Sequence, residues 1–361
     1  MFNSPRTMAM VFTTGNYCQK LARTTSVRCL SNSSSDPTNV WKLSLEDEAR
    51  YWKGYLTTRP KYSDDFFNLI YDYHRAHSGS FAVAHDVGAG PGQVSAKLAQ
   101  RFAHIVVSDN NSNHVDYARH MLEQTRYSQQ QQKPRFSFAV TKGEELGGRY
   151  PSASADLVAC ALMFPLMDTE AALRSFGHIL KPGGTLAIWF YGRAHFAESG
   201  PTTARRQSLL DCIIDHHFGA VIQGQGPAHR AGWKRAADGM ASWLDYIPFA
   251  AQDWTAVERR KWNSTWTNMG FFSPRACDFP VQPVSRVGAT ETLHEIEDRQ
   301  LWRKNWTVAE LKAFVEYIFP FCHLDREPVQ PLWERLQAEM GGVHAKQAFS
   351  WPAVLILASR R

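Results

Sequence analysis

The run Asp86-Val87-Gly88-Ala89-Gly90-Pro91-Gly92 constrains this chain more than any other stretch. A short apolar segment, Phe81–Asp86, leads into it, and an amphipathic one, Gly92–Phe102, leads out. A strand that ends in alternating glycines and opens a helix has a physical purpose. Glycine takes backbone angles closed to other residues and lets a ligand come close to the main chain. In an open α/β sheet such a turn lies beyond the carboxyl ends of the strands, where cofactors bind. On its own the spacing suits a dinucleotide too.

The acidic residues around the turn narrow the ligand. Asp86 stands on the strand just before the glycines. A carboxylate there suits a positively charged group and opposes a pyrophosphate. Asp109 ends the second apolar stretch, 23 residues on, where a carboxylate can accept both hydroxyls of a ribose. Gln93 follows the turn, and the third glycine of the dinucleotide spacing is missing. These details favour S-adenosylmethionine (SAM), with its cationic amino end, over NAD.

The chain keeps a strand–helix rhythm up to Tyr191. Ile105–Ser108, Phe136–Val140, Ala155–Ala161 and Thr185–Tyr191 read as strands, and Asn113–Gln124 and Thr169–Leu180 as helices. Such an order implies an α/β fold, a doubly wound Rossmann-like sheet with helices on both faces. Ahead of it, residues 44–78 read as two helices broken at Pro60, with Ser44 capping the first. After residue 192 the rhythm stops. Residues 205–275 read as mainly helical and rich in Trp, and Phe271–Val284 as a strand with its turn. Thr307–Ile318 reads as a helix, Thr307 its cap and Glu310 at the capping-box position. Phe349–Ser359 reads as one last buried strand. The expected organisation is a cofactor domain at 41–200 and 275–361, with a helical lid inserted at 201–274.

Charge and cysteine content exclude some functions. The net charge of +6 is concentrated in residues 1–35, which hold Arg6, Lys20, Arg23 and Arg28 and no Asp or Glu. The remaining body is nearly neutral, so it offers no phosphate-tracking surface and no nucleic-acid partner is expected. No apolar run is long enough to span a bilayer. Residues 1–35 resemble a mitochondrial transit peptide, with Arg28-Cys29-Leu30 before Ser31 as a cleavage site. The alternative is a tail, or an upstream start, on a cytoplasmic protein, with Met8 and Met10 as other starts. The six cysteines form no CxxC pair or metal cluster, and reduced thiols are expected, with no metal site.

With these motifs in place, the turn resembles motif I of the class I SAM-dependent methyltransferases. It is most similar to the trans-aconitate methyltransferase-like subgroup of fungi (methyltransferase type 11). The entry segment Tyr55-Leu56-Thr57-Thr58-Arg59-Pro60-Lys61-Tyr62 is similar to that subgroup's Tyr and Arg-Pro segment. Lys142-Gly143-Glu144-Glu145-Leu146 resembles its adenine-contacting loop, and Leu180-Lys181-Pro182-Gly183-Gly184-Thr185 its turn into the fifth strand. Ser350–Ala358 resembles its last strand. The resemblance implies a seven-stranded sheet with the last strand antiparallel, and SAM as cofactor. It implies that Asp86, Gly88, Gly90 and Gln93 line the methionine end and Asp109 the ribose. Asn110, Gly143 and Glu144 would meet the adenine, with Ala161 at the end of the fourth strand beside the cofactor. Tyr55 and Arg59 would close over it.

One segment departs from the subgroup. Its fourth strand runs from an Asp to a His-Trp pair at the mouth of the site. Here Asp156 and Asp168 fit that spacing, while Pro165 and Leu166 replace the pair. Methyl transfer asks little of side chains beyond alignment and exclusion of water, because the methyl group comes already activated. The expected activity is transfer of methyl from SAM to a small organic acceptor, at oxygen first, with sulfur, nitrogen and carbon open. Phe164, Tyr191 and His195 stand nearest the expected acceptor site, and His195 is the first candidate base. Trp233, Trp243, Trp254, Trp262 and Trp266 crowd the insert, Trp262 and Trp266 on one helix face. They suit core packing or a pocket wall. His216-His217 lacks ligand partners, and Arg205-Arg206 and Arg259-Arg260-Lys261 read as solvated faces. Two other functions keep the fold: a cyclase or pericyclase holding SAM as a fixed cation, and a non-catalytic SAM-binding assembly factor.

Overall fold

The computed structural model describes residues 45–124, 135–223, 227–265, 269, 276–277, 279–318 and 327–361. Residues 1–35, Ser44 and Trp266 lie outside that set. The chain opens with α1 (Leu45–Thr58) and α2 (Asp64–His77). Pro60 stops α1 because it lacks an N–H and fixes φ. Ser63 then caps α2, its side chain accepting the Phe66 N–H at 3.2 Å.

The alternating half follows. It comprises β1 (Val83–Val87), α3 (Gln93–Leu98), β2 (His104–Asp109), α4 (Ser112–Gln124) and β3 (Arg135–Val140). Next come the short α5 (Leu146–Arg149), β4 (Ala155–Ala161), α6 (Thr169–Ile179) and β5 (Leu180–Tyr191). The five strands pair in parallel, in the order β3-β2-β1-β4-β5. Parallel strands covered on both faces need apolar residues throughout, and β4 is buried from Ala155 to Cys160. Asp156 locks the start of this sheet. It accepts the N–H groups of Ala82 (3.1 Å) and Val83 (2.8 Å) and pairs with Lys181 Nζ at 2.7 Å. The Lys-Pro-Gly-Gly turn is thereby tied to the root of β1.

The second half contains β6 (His195–Phe196), α7 (Pro201–Gln223), α8 (Pro227–Ala241), β7 (Trp254–Trp262) and β8 (Thr292–Ile296). It ends with β9 (Lys304–Trp306), α9 (Val308–Glu316), α10 (Gln330–Met340), β10 (Gln347–Ser350) and β11 (Ala353–Arg360). β11 runs antiparallel between β5 and β7, and β8 adds parallel to β7. The main sheet thus reads β3-β2-β1-β4-β5-β11-β7-β8, and β6-β10-β9 form a small antiparallel sheet.

Several expectations change. The sheet has eight strands where seven were expected, because the polar Thr292–Ile296 pairs at its edge. The stretch read as helical from 201 to 274 holds α7 and α8 but then β7, so Trp262 lies on a strand. Arginines disguise β7: Arg259 is fully buried, its Nε on Glu291 at 2.5 Å and its Nη atoms on the carbonyls of Leu244 and Ile247. The expected single strand Phe349–Ser359 is two, since Pro352 divides β10 from β11 and the two join different sheets. Cys160 is a buried free thiol, but Cys212 is held in a disulfide, against the expectation of six reduced cysteines. The strand expected at Phe271–Val284 falls partly outside the described residues, and 279–284 carries none.

Candidate cofactor and acceptor site

The glycine turn caps β1 at the carboxyl end of the sheet. Gly88, Gly90 and Gly92 have φ of 67°, 50° and 81°, the left-handed region that side chains avoid. Ala89 N–H donates to Ser108 O at 3.0 Å, which ties the turn to β2. A Cβ on Gly88 would stand 2.6 Å from Met163 Cγ, and one on Gly90 3.1 Å from Trp52 Cη2. The backbone of the turn is thus bare and closely approached by Met163 and Trp52. Gln93 opens α3, half-buried.

Two carboxylates flank the turn. Asp86 is buried and accepts the Ser95 hydroxyl at 2.6 Å. Burial pushes its carboxyl up to about 7, with Ser95 opposing and Asp109 adding. Asp109 accepts Gly90 N–H (3.1 Å) on one oxygen, and Asn111 N–H (3.0 Å) and the His114 Nδ1 contact (3.2 Å) on the other. A carboxylate has about four lone-pair sites, so acceptor capacity remains for hydroxyls. Asn110 is exposed, and it is the buried Asn111 that holds Asp109.

On the far side, Gly143 is buried and its carbonyl accepts Ser175 Oγ at 2.8 Å. Glu144 Oε1 accepts Asp168 N–H at 2.9 Å, so the loop after β3 is laced to the loop after β4. Ala161 ends β4 half-buried. Leu162, next in line, takes φ of 63° and donates its N–H to Trp189 O at 2.9 Å. A left-handed leucine costs on the order of 1–2 kcal/mol. Here it turns Met163 onto Gly88.

A second group gathers at the end of β5. The buried Arg59 guanidinium donates to Tyr191 OH (3.1 Å) and Ile318 O (2.8 Å), and lies 4.5 Å over the Tyr55 ring. Burial pushes the Tyr191 phenol up, against the pull of Arg59. Tyr62, Phe66, Trp189, Tyr191 and Trp302 form a buried aromatic block behind it.

The other two residues expected near the acceptor are both buried. Phe164 is fully buried, its ring 6.3 Å from Phe176 of α6, so it serves the core. His195 lies on β6, paired with Ser350 of β10. Burial pulls its imidazole down to about 4, with Asp211 opposing and Arg193 adding. Pro165 is buried and Leu166 exposed in the short turn after β4. Among the described residues no metal-holding group of His, Cys, Asp or Glu occurs, and no helix is long and apolar enough to cross a membrane.

Reading the sequence alone missed Trp52, Ser95, Asn111, His114 and Met163. Ser95 and Asn111 were discoverable, being nine residues past Asp86 and two past Asp109. Trp52 and Met163 reach the turn only through tertiary contact.

A turn of bare backbone between two buried carboxylates, on a sheet whose antiparallel β11 lies next to β5, is the arrangement of a class I SAM-dependent methyltransferase. The residues present fit that cofactor: Asp86 could offer charge to its ammonium, and Asp109 has acceptor capacity that could serve its ribose. Residues 85–188 match the family described as a methyltransferase domain. The methyltransferase pgmE of Aspergillus terreus is 40% identical over 336 residues, covering 90% of this chain and 98% of its own. The methyltransferase cfoB of Aspergillus candidus is 37% identical, covering 87% and 95%. A solved structure described as a type II methyltransferase, from Anaeromyxobacter dehalogenans, shares the fold with a TM-score of 0.50 at 16% identity, over 83% of this chain and 97% of that one. This chain belongs to the class I SAM-dependent methyltransferases, and it is an enzyme that uses SAM as its cofactor.

Proposed function

We propose that the enzyme methylates an oxygen of a small organic acceptor that reaches the site as an anion, a carboxylate or an acidic hydroxyl. The observation that carries this reading is the Arg59 guanidinium, seated against Tyr191 and Tyr55 beside the aromatic block at the end of β5. A guanidinium in a dry, aromatic-walled site favours an oxyanion far more than it would in water. The block offers flat apolar walls to the rest of the acceptor.

SAM, when bound, supplies a methyl group already activated by a sulfonium. The chain's own residues do the rest. Asp86 and Asp109 would hold the two ends of the cofactor, and the glycine turn would bring backbone against it. Trp52 and Tyr55 of α1 exclude water from above. Arg59 and Tyr191 orient the acceptor oxygen. An anionic oxygen needs no general base. The weak basicity of His195, pulled down to about 4, fits an acceptor that arrives ionised.

The test supplies SAM with a panel of flat organic acids, phenols and amines. It reads S-adenosylhomocysteine, product mass and the methyl carbon resonance. An O-methyl signal from an acidic acceptor is expected, with most activity retained in His195→Gln. A C-methyl or N-methyl product overturns the reading. So does acceptor consumption without S-adenosylhomocysteine, which would point to the cyclase function. For residues 1–35 we keep the proposal of a mitochondrial import signal, supported by their basic, acid-free composition. Fusion of that segment to a fluorescent protein tests it, and a diffuse cytoplasmic signal would overturn it.

A further inference from the structure

His114 sits on the first turn of α4, 8% exposed, with a carboxylate on either side. Its Nδ1 is 3.2 Å from Asp109 Oδ1 and its Nε2 is 3.4 Å from Glu48 Oε1. Glu48 belongs to α1 and is only 1% exposed. A buried carboxylate is costly unless a partner faces it. Burial pushes Glu48 up, and His114 is the first influence that opposes this. Trp52 lies four residues on, hence on the same helix face. Its ring meets the His114 ring edge-on, with centroids 4.9 Å apart, and its far edge lies against Gly90. One face of α1 therefore touches both the glycine turn and the group that holds Asp109.

We infer that Glu48 and His114 are positioning residues that couple the docking of α1 to the ribose-facing carboxylate of Asp109. His114 presents ring nitrogens to both carboxylates, so it fixes the rotamer of Asp109 only while Glu48 holds the other side of the ring. Glu48 stays buried only while α1 is docked. Closing α1 therefore aims Asp109, and an Asp109 engaged with ribose hydroxyls favours the closed helix. This rests on reading Asp109 as the ribose acceptor, and the test separates the two.

Full-length protein is titrated with S-adenosylhomocysteine and with its 2′-deoxyribose counterpart, for wild type, Asp109→Asn, Glu48→Gln, His114→Gln and the Glu48→Gln/His114→Gln double variant. Asp109→Asn is expected to abolish the preference for the hydroxylated ligand. Each single positioning variant is expected to weaken S-adenosylhomocysteine about tenfold and to shrink that preference, and the double variant to be no weaker than the poorer single. Melting curves confirm folding. Glu48→Gln keeps volume, so it carries the test if the imidazole replacement unfolds the chain. Loss of preference in Asp109→Asn, with full preference in the two positioning variants or with additive losses, overturns the coupling. Full preference in Asp109→Asn overturns the ribose reading itself.

Discussion

Asp86 is the residue whose charge a bound cation would be expected to favour. Its carboxyl is pushed up to about 7 by burial, above the ordinary value near 4. The folded chain therefore binds a proton here more tightly than the unfolded one. The resulting stability is present in full below about pH 4 and is lost as the pH rises through about 7. Cofactor binding is expected to have the opposite slope, because an ammonium facing Asp86 would need its ionised form. SAM affinity is expected to rise with pH by up to about tenfold per unit and to level off above 7. Calorimetry between pH 5.5 and 8 checks this. Asp86→Asn should bind weakly with a flat profile and melt higher than wild type at pH 8. Gly88 gives a second residue-scale prediction. Gly88→Ala forces a side chain into a left-handed backbone and 2.6 Å from Met163 Cγ. A loss of about 1–3 kcal/mol in stability is expected, with SAM affinity reduced as Met163 shifts. A melt and a SAM titration measure the two effects. At this scale the sequence was legible where chemistry is local: the glycines, Asp86 and Asp109 all stand where their spacing put them. His195 and Phe164 both prove buried, which proximity along the chain could not say, since it does not tell which way a side chain faces.

At the scale of elements, α1 is the part whose position matters most. Lys304 of β9 donates to the carbonyls of Arg59 (2.7 Å) and Thr58 (3.3 Å), at the C-terminal end of that helix. Burial pulls its ammonium down to about 8, which leaves it mostly charged at neutral pH. A cation here satisfies orphan carbonyls and complements the helix dipole. Lys304→Met is expected to loosen α1 at a cost of about 1–2 kcal/mol. Faster hydrogen exchange at residues 50–58 and a higher KM for SAM, with kcat little changed, would register it. The capping box of α9 was readable from Thr307 and Glu310, and both of its hydrogen bonds are present. β7 was not readable, because its alternation buries Arg259 and exposes apolar atoms only in part. Helical and strand periods separate on apolar residues, and a buried arginine removes the signal.

For the whole molecule, β7 and its arginine tie the segments around Leu244–Ile247 and Glu291 to the sheet through β11. Arg259 binds Glu291 and the carbonyls of Leu244 and Ile247 while fully buried. Arg259→Met strands Glu291 without its partner, at an expected cost of about 3–5 kcal/mol. Denaturant unfolding measures it, and Arg259→Met/Glu291→Met should recover much of the loss. The sequence by itself determined the α/β class, the glycine cradle and the two carboxylates beside it. These rest on backbone angles only glycine adopts and on a strand–helix period that short-range sterics enforce. Only the tertiary structure decided that β8 extends the sheet, that Pro352 sends β10 and β11 to different sheets, and that α1 lays Trp52 over the turn and Glu48 against His114. Those outcomes depend on which distant surfaces bury one another, and a pattern along one chain does not encode that directly.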